Sequence, residues 1–106
     1  MVQFVKTLPE YKAIIQNTEN KLIIVDFTAT WCGPCRQIAP VFESLASKYP
    51  GVVLYKVDVD EASDIAAEYG IRAMPTFHFY KDGNKVDELC GAIPSKLESL
   101  VQQWTS

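Results

Sequence analysis

The sequence has no cluster of lysine and arginine. Its 10 basic residues are outnumbered by 13 acidic ones, for a net charge of -3. That balance argues against a protein held to nucleic acid by phosphate contacts or to an anionic membrane by charge, so neither is expected as a partner. Apolar runs are short, far below the ~20 residues of a membrane span. Met1-Val2-Gln3-Phe4-Val5-Lys6 lacks a basic segment followed by a long apolar one. Val2 excludes myristoylation, and Gln103-Trp104-Thr105-Ser106 carries no prenylation box or retention signal. We therefore expect a cytoplasmic protein with no membrane anchor.

Cysteine is scarce too. Three cysteines cannot pair completely, and two of them lie within four positions, so the chain is not the disulfide framework of a small secreted domain. A reducing compartment fits better. No Gly-rich dinucleotide fingerprint occurs, and there is no repeat, low-complexity stretch or linker where a second domain could start. With 106 residues, 48% of them hydrophobic, residues 1–106 suffice for one domain with a core that needs no staples.

What is present alternates between two periodicities. Val2 to Val5 reads as a short strand. Thr7 can cap a helix with Pro9 in its first turn and Leu8, Tyr11, Ile14 and Ile15 on one face; polar residues 17–21 end it. Leu22 to Phe27 is an apolar run interrupted by Asp26 and reads as a strand buried on both faces. From Cys35, the positions Ile38, Ala39, Phe42, Leu45, Ala46 and Tyr49 predict a long helix kinked near Pro40, stopped by Pro50-Gly51. Val52 to Val59 alternates as a strand, with Val53, Tyr55, Val57 and Val59 on one face. Asp58 to Glu61 leads into a short helix through Ala62, Ile65, Ala66 and Tyr69, closed by Gly70. Thr76 to Tyr80 and Lys85 to Cys90 flank an Asp82-Gly83 turn as a hairpin. Pro94 opens a last helix with Leu97, Leu100, Val101 and Trp104 as its core stripe. The order is βαβαβαββα. Strands joined through helices run parallel and the terminal hairpin adds antiparallel strands, giving an α/β fold with a mixed sheet and helices on both faces.

Trp31-Cys32-Gly33-Pro34-Cys35 stands between the second strand and the long helix. A disulfide across two residues is a poor staple: its loop entropy is worth roughly 2 kcal/mol, against roughly 4.7 for a loop of 100 residues. It is suited to being opened. Cys32, at the positive end of a helix, is placed to be a thiolate nucleophile, and Cys35, about one turn on, to resolve the mixed disulfide that results. An inert disulfide or half of a zinc site is the alternative. Only Cys90 and His78 could complete such a site, at no familiar spacing, so no metal is expected. Asp26 should have a raised pKa if its run is buried, because desolvation disfavours the charged carboxylate. It can then move protons near neutral pH, or be simply a buried acid satisfied by hydrogen bonds. Lys56 could act on Asp26 if their side chains meet, although a solvated lysine is the simpler reading. No ligand or catalytic role is expected of His78.

Val25-Asp26-Phe27 before Trp31-Cys32-Gly33-Pro34-Cys35, then Lys56-Val57-Asp58-Val59-Asp60, Met74-Pro75-Thr76-Phe77 and Gly91-Ala92 together resemble the thioredoxin family over essentially the whole chain. The resemblance implies the thioredoxin fold, a central five-stranded mixed sheet flanked by four helices. It implies a protein-disulfide reductase with no bound cofactor beyond a redox-active Cys32-Cys35 disulfide. Its partners would be disulfide-containing proteins and a thioredoxin reductase that uses NADPH. The chain itself is expected to be a monomer. Asp26 would lie beneath the dithiol and take the Cys35 proton through water. Pro75 would follow a cis peptide facing the dithiol and leave the Met74 backbone free to pair with an extended substrate. Trp31, Met74, Gly91 and Ala92, with Gly33 and Pro34, would form the substrate surface.

Gly33-Pro34 resembles the reducing branch of the fold, since oxidising relatives tend to carry a His in this dipeptide. A disulfide oxidase or isomerase is the alternative enzyme, and a non-redox binding subunit the alternative of another class. Position 73 is Ala where some animal relatives have a further cysteine. Cys90 is the extra thiol here, beside the implied substrate groove; it reads as a small buried hydrophobe or as a thiol whose oxidation regulates binding.

Overall fold

The computed structural model describes residues 2–16 and 19–106. Strand β2 (Leu22–Thr28) carries its plan. Leu22 and Ile24 point to one face and Ile23, Val25 and Phe27 to the other, as the strand's period of two dictates, and all five are buried. Such a strand must be covered on both sides. On the face of Leu22 and Ile24 lie α2 (Gly33–Lys48) and α4 (Pro94–Thr105), which bring Ile38, Phe42, Leu45, Leu97 and Val101 into the larger core. On the opposite face α1 (Leu8–Ile15) and α3 (Ser63–Glu68) bring Tyr11 and Ile65.

The five strands lie in the order β1-β3-β2-β4-β5, with β1 at Gln3–Phe4, β3 at Val52–Asp58, β4 at Thr76–Lys81 and β5 at Asn84–Cys90. Pairs β1/β3 and β2/β3 are parallel, β2/β4 and β4/β5 antiparallel. This is the mixed five-stranded sheet with four flanking helices that the sequence predicts.

Local chemistry explains the boundaries. The Thr7 hydroxyl accepts from the Glu10 N–H at 3.3 Å, capping α1. The polar stop expected over residues 17–21 falls partly on Asn17 and Thr18, outside the described residues. Strand β1 is shorter than Val2 to Val5, because only Gln3 and Phe4 find register partners, Tyr55 and Lys56; Val5 then donates once more, to the Lys56 carbonyl at 2.8 Å. Helix α2 starts at Gly33, two residues before the apolar stripe, and runs through Pro40 to Lys48. Asp82 (φ 54°) and Gly83 (φ 81°) both take the left-handed conformation that a two-residue hairpin turn requires, so the strands extend to Lys81 and Asn84.

Phe42 and Phe77, both fully buried, meet at 5.6 Å between ring centroids and lock α2 onto the sheet. Each contributes about 1.5–3 kcal/mol by burial. Trp104 was expected in the core stripe. It covers the core instead, half-buried, with its indole N–H donating to Asp87 at 3.1 Å, because an indole nitrogen needs a polar partner.

Candidate active site

Strand β2 delivers the chain to Cys32, which is the N-cap of α2: its backbone is extended, and its sulfur accepts from the Cys35 N–H at 3.2 Å. A thiol here stands where a serine or aspartate oxygen usually satisfies a helix's free N–H groups. No acidic side chain occupies the first turn of α2, so the positive helix end acts on the sulfur uncompensated. Pro34 sits in that first turn, where its missing N–H leaves nothing unsatisfied. Cys32 and Cys35 are joined in a disulfide with their Cα atoms 5.3 Å apart. Both are buried, in a small apolar cluster with Ala29 that Val59 and Met74 pack against.

The segment opposite is the loop before β4. Met74-Pro75 is a cis peptide, the Met74 carbonyl lies 3.8 Å from the Cys32 sulfur, and the Pro75 carbonyl accepts from the Gly91 N–H at 2.9 Å. Gly91 adopts φ 110°, which a side chain would resist. The Met74-Pro75 segment thus meets the dithiol, and Gly91 is tied to that segment through the Pro75 carbonyl. Trp31 is 64% exposed, far from a core residue, and its indole donates to Asp60 at 2.8 Å. Asp60 itself is held in a turn whose N–H groups donate to the Asp58 carboxylate. Ala92 is half-buried and packs against the α2/α4 core, and the exposed apolar residue at that end is Ile93, which the sequence reading did not single out.

Asp26 occupies the next position in the Leu22-Ile24 row, so it faces α2 from within the sheet. It is 1% exposed, and no hydrogen bond reaches its Oδ1. Burial pushes its pKa up to about 7; the Lys56 charge opposes this and the Glu43 charge adds to it. The expectation of a solvated Lys56 is corrected here. Lys56 is the register partner of Asp26 on β3, its side chain is only 12% exposed, and its ammonium is 2.7 Å from the Glu43 carboxylate of α2. Parity explains it, since Val52, Leu54 and Lys56 form the β3 row that faces the same core as Leu22, Ile24 and Asp26. Glu43 was not foreseen, because nothing in the sequence marks which helical acid overlies that row.

Cys90 is a free, exposed thiol at the end of β5, 3.8 Å from the Thr76 hydroxyl, so the reading of it as a small buried hydrophobe does not hold. His78 is buried against the Phe27 ring, and burial is the main reason its pKa falls to about 4. Among the described residues no group of three or more His, Cys, Asp or Glu side chains is arranged to hold a metal ion, and no helix is long and apolar enough to cross a membrane.

A family model described as Thioredoxin matches residues 2–103. The chain belongs to the thioredoxin family. It is 56% identical over 105 residues to a thioredoxin of Coprinus comatus, covering 97% of each chain. With thioredoxin-1 of Schizosaccharomyces pombe the identity is 49% over 102 residues, 96% of this chain and 97% of the other. Among solved structures, the thioredoxin of Fasciola hepatica superposes with a TM-score of 0.91 at 44% identity, covering 96% of this chain and 98% of that one. A thioredoxin of Plasmodium falciparum gives 0.88 at 45%, with the same coverage. Membership of the thioredoxin family and the Cys32-Cys35 disulfide make this chain a protein-disulfide oxidoreductase, with that pair as its redox-active group.

Proposed function

We propose that Cys32 is the attacking thiol, Cys35 the resolving thiol and Asp26 the group that takes the Cys35 proton. The observation that carries this reading is the N-cap position of Cys32, whose sulfur accepts the Cys35 N–H at the positive end of α2. The Cys32 thiolate attacks one sulfur of a substrate disulfide, forming a mixed disulfide and releasing a substrate thiolate. Cys35 gives its proton to Asp26 through water and attacks the Cys32 sulfur. The Cys32-Cys35 disulfide forms, the second substrate thiolate leaves, and two electrons have passed to the substrate. A carboxyl with a pKa of about 7 is matched to accept that proton at neutral pH.

An extended substrate segment would pair with the Met74 backbone and rest on Trp31, Gly33, Pro34, Gly91 and Ala92, above the buried Pro75. The partial exposure of Met74 and the cis Met74-Pro75 bond beside Cys32 support this. We assign the return of electrons to an NADPH-dependent thioredoxin reductase, a cytoplasmic address, action as a monomer in one domain, and no nucleic-acid or membrane partner. Gly33-Pro34 favours reduction over disulfide oxidation or isomerisation, and retention of both cysteines with Asp26 disfavours a non-redox binding subunit. Exposure of Cys90, next to Gly91, supports a regulatory reading of that thiol.

Mixing reduced Cys35→Ser with insulin tests the order of the thiols. Adducts on Cys32 should accumulate and resist turnover. Adducts on Cys35 in a Cys32→Ser variant, together with none on Cys32 in Cys35→Ser, would reverse the assignment.

A further inference from the structure

The charges around Asp26 form a cluster from three elements. Strand β2 contributes Asp26, its register partner on β3 is Lys56, and α2 contributes Glu43 and, once the disulfide is open, Cys35. The register partner on β4 is Phe77, which adds no charge. Arg36 and Asp58 line the groove of about 320 Å³ that Lys56 and Cys35 share. A lysine in register with a buried aspartate is the obvious partner for it, and Asp26 Oδ1 has no other. Yet no ion pair joins them: the Lys56 ammonium sits 2.7 Å from Glu43, and over the Phe4 ring at 5.9 Å from its centroid. Glu43 is half-exposed, so its carboxylate keeps hydration while it draws the lysine outward.

We propose that Glu43 is a positioning residue: by holding the Lys56 ammonium in an ion pair beneath α2, it keeps that cation from pairing with the Asp26 carboxylate. Without Glu43, Lys56 has an unpaired buried carboxylate within reach across the strands, and the two would join. Asp26 would then ionise at lower pH and become a weaker acceptor for the Cys35 proton. The inference deepens the reading of Asp26 as proton acceptor and rests on it for its functional consequence, though not for the charge arrangement itself.

The test is the titration of the Asp26 carboxyl carbon, followed by NMR in the oxidised protein, where neither active-site thiol ionises. Glu43→Gln should lower the Asp26 midpoint by about 1 pH unit, the low end of what an opposite charge at 4–6 Å produces. Lys56→Met should raise it, and adding Glu43→Gln to Lys56→Met should change it little, because Glu43 then has no lysine to hold. An unmoved midpoint in Glu43→Gln, or an equal drop in the Lys56→Met background, overturns the proposal; the latter would assign the effect to the Glu43 charge alone. A second readout separates the two layers. The Cys32 mixed disulfide with thionitrobenzoate releases its chromophore when Cys35 attacks, and the pH profile of that release should move with the Asp26 midpoint in Glu43→Gln. A moved titration with an unmoved rate profile supports the positioning role and refutes Asp26 as the acceptor.

Discussion

Replacing Asp26 by Asn removes a carboxyl that folding compels to keep its proton. The folded pKa is about 7 and the ordinary aspartate value 3.8. Because the folded value is the higher one, the folded state binds more protons between those limits, and stability from this group is full below about pH 4 and lost as pH rises through 7. Linkage between the two values gives a cost of about 0.6 kcal/mol at pH 4, about 3 at pH 6 and about 4 at pH 8. Asn cannot ionise and escapes it. Asp26→Asn should therefore be more stable than the parent by about 4 kcal/mol at pH 8, with a far smaller gain at pH 4. Urea unfolding at the three pH values measures this directly. With a slope of about 1.5 kcal/mol per molar, the midpoint should rise by about 2.5–3 M at pH 8. A gain of the same size at pH 4 and pH 8 would refute the reasoning, since it would show that Asp26 ionises in the fold as it does in water.

His78 has the opposite sign. Its folded pKa, about 4, lies below the ordinary 6.5, so its contribution is present above pH 6.5 and lost as pH falls toward 4. In an Asp26→Asn background, His78→Gln should flatten the loss of stability between pH 6.5 and 4, and an unchanged slope would place the acid sensitivity elsewhere. Cys90 is the exposed thiol, so in a Cys32→Ser/Cys35→Ser variant mild peroxide should add oxygen at Cys90 in intact-mass mapping. An unmodified Cys90 would remove the regulatory reading.

The fold was legible because the continuous apolar run of β2 reads as a strand buried on both faces, and because Gly70, Asp82-Gly83 and Pro94 mark stops and starts with little ambiguity. The same run placed Asp26 among buried residues. Its neighbours were less accessible. That Lys56 is buried follows from parity only once the β2/β3 register is known, and register depends on where two strands 30 residues apart align. Glu43 and Asp60 acquire their partners, Lys56 and Trp31, through the packing of α2 and the β3-α3 connection, which no local pattern encodes. Cys90 illustrates a different limit. Strand alternation told which residues share its face, but not that the end of an edge strand leaves that face uncovered.

The central claim is that the dithiol, with Cys32 first, carries electrons to protein disulfides. NADPH-coupled reduction of insulin with a thioredoxin reductase tests it most directly, comparing the intact protein with Cys32→Ser and Cys35→Ser. Turnover by the intact protein alone, with adducts trapped on Cys35→Ser, is the predicted result. Turnover that survives in Cys32→Ser, or none in the folded intact protein despite a dithiol that titrates, would contradict the account.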